Sequence, residues 1–105
     1  MPSRSGLERR PADYLQDGDW PTGHLRPDAP AEAYLAAAMT RRLTAALAGR
    51  SARSIARDAG ISAQTVLNLL AGLSWGDVVT VARLERTLGA ALWGSEHLAG
   101  SSDRP

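Results

Sequence analysis
Five arginines, Arg41, Arg42, Arg50, Arg53 and Arg57, stand between Thr40 and Gly72 against a single acid, Asp58. A basic stretch of this kind draws polyanions. The flank before it is different: residues 1–30 carry four Arg and five acids, so the formal net charge of +1 conceals the contrast. Residues suited to covalent or metal chemistry are scattered. His24 and His97 lie in opposite flanks with no carboxylate or cysteine at ligand spacing. Asp13, Asp17 and Asp19 lack the flanking helices and the closing Glu of a calcium loop, and read as solvated. No glycine-rich phosphate loop follows a strand, and no Ser-His-Asp set is evident. The expectation is a protein that binds rather than catalyses, with no cofactor and no metal.

The elements that must position these side chains are short helices. A chain of 105 residues has room for one domain, and a composition rich in Ala, Leu and Val without Phe suits close helix packing. Residues 1–30 hold five of the six prolines and no apolar period, which predicts a flexible or loosely packed N-terminal arm. Tyr14, Leu15 and Trp20 are unusual in a solvating tail; they would pack on the domain or on a second copy. From Ala31 the pattern changes. Leu35, Met39, Leu43 and Leu47 recur at a spacing that lines one face, predicting a first helix that runs to about Ala48 and ends at Gly49.

Ser51 is placed to cap a second helix over 52–59 that buries Ile55, Ala56 and Ala59, with Gly60 as its stop. Ser62 is placed to cap a third over 63–71, with Val66, Leu69 and Leu70 on one face and Gly72 after it. Ser74 caps a fourth and Asp77 favours the positive end of its dipole, while Val78, Val81, Leu84 and Leu88 form its buried stripe. Trp75 and Trp93 read as lids on the core. The fold class expected is all-α, a compact four- to five-helix bundle over 31–94, with the arm at 1–30 and a loose tail at 95–105. Two short helices joined by a tight turn containing Gly60, with Ile61 in the angle between them, satisfy the demands of a helix-turn-helix.

The segment Ser-Ile-Ala-Arg-Asp-Ala-Gly-Ile-Ser-Ala-Gln-Thr-Val-Leu-Asn-Leu-Leu-Ala-Gly at 54–72 resembles the Cro and phage-repressor (Xre-like) helix-turn-helix family. A loop and Val-Ala-Arg-Leu-Glu-Arg-Thr-Leu-Gly at 81–89 extend the resemblance, which spans roughly Tyr34 to Trp93. The all-arginine basic set and abundant Ala and Gly suit a GC-rich, actinobacterial type of source. The resemblance implies that the third helix enters the major groove of duplex DNA. It places Ser62, Ala63, Gln64, Leu67 and Asn68 toward base edges, with Gln64 and Asn68 as readers. It places Arg50, Arg53, Arg57 and Thr65, with the amides opening the third helix, against phosphates. Arg41 and Arg42 read as a solvated face. The sequence departs from the family pattern in four places: Ala52 where Gln often holds phosphate, Gly76 where Pro is frequent, Glu85 where Ala is commoner, and a third helix without Arg or Lys.

The function this implies is a sequence-specific regulator of transcription, a repressor by type, bound as a homodimer to half-sites about 34 Å apart. An antitoxin or adaptor-like interaction module is the alternative, with Leu67 and an N-terminal arm that folds on a protein partner as its surfaces. An architectural binder would show little sequence preference and a steep salt dependence. No apolar run is long enough for a membrane span and no signal-peptide core is present, so a cytoplasmic, nucleoid-associated location is expected.

Overall fold
The computed structural model describes residues 9–93. Its frame is four helices: α1 (Ala31–Leu47), α2 (Ala52–Ala59), α3 (Ala63–Leu70) and α4 (Val78–Leu88). Their apolar faces meet in one core built from Met39, Leu43 and Leu47 of α1, Ile55, Ala56 and Ala59 of α2, Val66 and Leu69 of α3, and Val81 and Leu84 of α4, with Leu92 after them. Each helix boundary has a local cause. Pro30 precedes α1 with φ −70°, where its missing N–H is no loss. Ser51 Oγ accepts from the Ser54 amide at 3.0 Å and Ser62 Oγ from the Thr65 amide at 3.0 Å, so both short helices start on a satisfied cap. Gly60, at φ 74°, closes α2 and lets the chain turn into α3.

Several boundaries and faces differ from the sequence expectation. α1 stops at Leu47 because Ala48 itself takes the left-handed conformation, φ 51°. Leu35 is 39 % exposed; the buried face of α1 instead turns toward Ala33, Ala36 and Ala37. Small side chains there let the N-terminal segment lie close against the helix. α4 is capped by Asp77, whose Oδ1 accepts from the Thr80 amide at 2.7 Å. Ser74 instead turns its hydroxyl to the Gly76 amide at 3.1 Å, inside the loop. Val78, expected in the core, is 73 % exposed and Val79 61 %, so the buried stripe of α4 starts only at Val81.

The all-α expectation is corrected at residues 9–30, which hold a small β-hairpin, and of the two placements expected for Tyr14 and Trp20 the one on the domain is found. Pro11–Tyr14 form a 3-10 turn, and β1 (Leu15–Asp17) pairs antiparallel with β2 (His24–Leu25), with an irregularity between Leu15 and Asp17. This segment is fastened to the helices by directional contacts. The Ala12 amide donates to the Gly72 carbonyl at 2.9 Å, and Trp75 Nε1 donates to the Arg9 carbonyl at 2.8 Å. Arg41 of α1 donates from Nη1 to the Pro21 carbonyl at 3.2 Å. Tyr14 is only 6 % exposed, its ring 6.3 Å from Trp75, with the Arg9 and Arg26 guanidinium groups 5.8 and 5.6 Å from its centroid. Trp20 covers Gly72 so closely that a Cβ there would sit 2.7 Å from the indole. Helical period does not reveal this path, since scattered anchors without a period replace a helical stripe.

The chain after α4 is fastened by a carboxylate. Glu85 Oε2 accepts from the Leu92 and Trp93 amides at 2.8 and 3.2 Å, which seats Leu92 in the core. That gives the acid at position 85 a structural role. The tail at 95–105 lies outside the described residues.

Two substitutions test this frame. Ala48→Gly removes the left-handed penalty of a Cβ and should raise the unfolding free energy by about 0.5–1 kcal/mol in urea titration. Gly72→Ala meets both φ 72° and the Trp20 indole, and should lower it by about 1–2 kcal/mol or more.

Candidate nucleic-acid interface
α3 has a buried face and an exposed one. Val66 and Leu69 enter the core, and the single hydroxyl proton of Thr40 in α1 is shared between the Ala36 carbonyl at 2.9 Å and the Leu69 carbonyl at 3.3 Å. A buried hydroxyl with two acceptors ties the end of α3 to α1. On the outer side Ser62 and Gln64 are exposed, Ala63, Thr65 and Asn68 are half-buried, and Leu67 is 48 % exposed. Positions 64, 67 and 68 are three and four residues apart, which puts them on one face of the helix.

The polar groups on this face are organised. Gln64 Nε2 donates to Asn68 Oδ1 at 3.0 Å. Ser62 Oγ and Thr65 Oγ1 lie 2.7 Å apart, so one of the two hydroxyl protons joins them and the other is left for an external acceptor. The structure therefore brings together all the residues expected at base edges, plus Thr65, at the start and outer face of one helix.

The arginines divide. Arg50 donates from Nη2 to Asp58 Oδ2 at 2.5 Å and to Ser54 Oγ at 3.1 Å, which ties one end of its exposed guanidinium to α2. Arg57 Nε stands 3.7 Å from Asp58 Oδ1, beyond hydrogen-bond reach and mostly exposed, a pairing worth little in water. Arg53 is exposed and has no ion-pair partner among the described residues. Arg53 and Arg57 are thus the expected phosphate-contacting groups best able to reach a polyanion, and Asp58 restrains Arg50. Arg41, expected to be solvated, is exposed but holds the Pro21 carbonyl.

Sequence reasoning missed Arg83, which donates from Nη1 to the Gly60 carbonyl at 3.2 Å and braces the turn between α2 and α3. Its place on α4, far along the chain from Gly60, carried no signal for that contact. The loop from α3 to α4 also differs from a phosphate cradle. Asp77 sets its carboxylate on the first amides of α4, held below its ordinary pKa of 3.8 chiefly by the Thr80 amide, then by the Thr80 hydroxyl, against a smaller opposing effect of burial. The first amides of α4 are therefore already satisfied by an anion of the chain itself.

The scattered candidates for other chemistry have local roles. Asp13 Oδ2 accepts from the Arg10 amide at 2.9 Å, and Asp17 Oδ1 lies 2.8 Å from His24 Nδ1 across the hairpin. His97 lies outside the described residues. Among the described residues no three His, Cys, Asp or Glu side chains gather to hold a metal ion, and no helix is long and apolar enough to cross a membrane. No family model matches the chain, and neither a curated protein nor a solved structure is significantly similar to it.

The Asp77 cap has a signed consequence. A carboxylate whose folded pKa is depressed contributes stability that is complete above the unfolded value of 3.8 and is lost as pH falls through the lower folded value. Asp77→Ala should therefore be less stable than wild type at neutral pH, and the gap in thermal midpoint should narrow below pH 3.8. A gap that persists undiminished in acid would show that the carboxylate charge plays no part.

Proposed function
We propose that α2, the Gly60–Ser62 turn and α3 form a helix-turn-helix that binds duplex DNA and regulates transcription. The observation that carries the reading is the division of α3: Val66 and Leu69 fix it in the core while Gln64, Leu67 and Asn68 face outward as a set. Packing alone does not require carboxamides there. α3 would lie in the major groove with Arg53 and Arg57 of α2 beside it on phosphates, and the Ser62–Thr65 hydroxyl pair would offer its spare proton to a phosphate oxygen. Phosphate contacts position the protein; the side chains of α3 select the site. One such helix touches few base pairs, so a homodimer on a two-fold related site supplies the discrimination that a single copy lacks. Repression follows where such a site overlaps that of the polymerase.

A second reading, an antitoxin-like or adaptor module, draws on two observations: Leu67 is 48 % exposed and α3 carries no cation. Its other expected surface is diminished, because Tyr14 is buried against Trp75 and Trp20 covers Gly72. A partner would have to use α3 itself rather than residues 9–30.

The test is a fluorescence titration of labelled random and selected duplexes at two salt concentrations. The regulator reading expects a selected site bound at least about a hundredfold tighter than the pool, with affinity falling as salt rises. Replacing Arg53 and Arg57 with Ala should weaken both duplexes alike and flatten the salt slope by about one unit for each phosphate no longer neutralised. Asp58→Ala releases Arg50 and should strengthen binding to both. No binding to any duplex at low salt contradicts the reading and moves the search to a protein partner of α3.

A further inference from the structure
We propose that a hollow between the N-terminal part of α1, the α3–α4 loop and the chain after α4 binds a small quaternary ammonium compound, with the Trp75 and Trp93 indoles as walls and the Glu32 carboxylate as counter-charge. The proposal stands apart from the duplex-binding reading, since none of these residues lies in α2 or α3. The hollow measures about 190 Å³ and is lined by Glu32, Leu35, Ala36, Trp75 and Trp93. Positions 32, 35 and 36 share one face of α1. Leu35 is 39 % exposed there while Met39, Leu43 and Leu47 are buried, and both indoles are half-buried, so apolar surface converges on the hollow without closing it. The walls are set in advance. Trp75 Nε1 donates to the Arg9 carbonyl at 2.8 Å, with its ring 6.3 Å from that of buried Tyr14. The Trp93 amide donates to Glu85 Oε2 at 3.2 Å. Groups held before binding lose little freedom on binding.

The lining selects the ligand by elimination. Leu35 and Ala36 present hydrocarbon and the one polar atom of the Trp75 ring is spent on Arg9, so a sugar or an amide would give up water for few hydrogen bonds. Glu32 is the charged residue of the lining, exposed and without an ion-pair partner among the described residues, and it repels an anion. A primary ammonium brings three N–H donors that need acceptors. A quaternary ammonium brings none: its methyl groups pack on indole and leucine, and its charge is drawn by the aromatic faces and by the carboxylate. The same attraction already operates beside the hollow, where the Arg9 and Arg26 guanidinium groups stand 5.8 and 5.6 Å from the Tyr14 centroid. An apolar cavity of about 150 Å³ admits benzene, so this hollow has room for one trimethylammonium group and little more. The ligand is therefore a free small molecule of the choline type.

Titration of the full chain with choline, followed by nuclear magnetic resonance, tests this. The uncharged probe is the alcohol of the same shape in which carbon replaces the nitrogen of choline. Choline should give saturable shifts of the Trp75 and Trp93 indole N–H and the Leu35 methyl resonances, and should bind about fivefold or more tighter than its carbon analogue. Glu32→Gln keeps the shape, removes the charge and should weaken choline about threefold while leaving the analogue unchanged. Trp93→Leu should bring the two affinities together; Glu32→Gln, at an exposed position of α1, carries the test if that variant fails to fold. Equal affinities for choline and its analogue in wild type, choline binding indifferent to Glu32→Gln, or no saturable shift would overturn the proposal. So would indole shifts that follow protein concentration without ligand, since they assign the hollow to a second copy of the chain.

Discussion
Leu69 sits where the fold and the candidate interface join. Its side chain is buried among α1, α2 and α4, and its carbonyl accepts the Thr40 hydroxyl from α1 at 3.3 Å. Gly76 of the following loop passes so close that a Cβ there would lie 2.9 Å from Leu69 Cδ2. An eight-residue helix has little stability of its own, so tertiary packing must fix α3. Whatever its outer face recognises is therefore presented at an orientation set by Leu69 and Val66. The contacts that surround them act on that orientation. Trp20 rests on Gly72, the Ala12 amide bonds the Gly72 carbonyl, and Arg83 holds the Gly60 carbonyl, so both ends of α3 are braced from other parts of the chain.

The electrostatics of the surface are a compromise. Arg50 is engaged by Asp58 and the α4 amides by Asp77, so two positions that a phosphate could use are already satisfied within the chain. Satisfied groups stabilise the local structure but weaken indiscriminate attraction for polyanions. What is left, Arg53, Arg57 and the hydroxyls at the start of α3, is a modest positive surface beside the uncharged outer face of α3.

Much of this was legible in the sequence because local rules dominate there. Ser51 and Ser62 as caps, Gly60 as a turn, and Ile55, Ala56, Ala59, Val66 and Leu69 as core follow from capping chemistry and helical period, and all occupy those places. The fourth helix was half legible: Val81 and Leu84 are buried, while Val78 is exposed and Asp77 takes the cap expected of Ser74. For residues 9–30 the packing of Tyr14 and Trp20 on the domain was legible from their residue types, while the hairpin was not, because these anchors follow no period and make contacts with residues far along the chain. The misplacement of Leu35 has the same origin, since the alanine face of α1 is buried by that segment. For the candidate site, residue types at 62–68 were readable, but the Gln64–Asn68 bond and the engagement of Arg50 by Asp58 depend on side-chain geometry that spacing leaves open.

The functional reading stands on contact between the outer face of α3 and duplex DNA. An amide and side-chain nuclear magnetic resonance titration of the full chain with a duplex at low salt measures that contact residue by residue. If α3 meets the duplex, the largest shifts fall on residues 62–68 and on the Arg53 and Arg57 side chains, while the Leu35 and Trp93 surroundings stay still. Shifts concentrated around Leu35 and Trp93, or none at all as duplex is added, would contradict it.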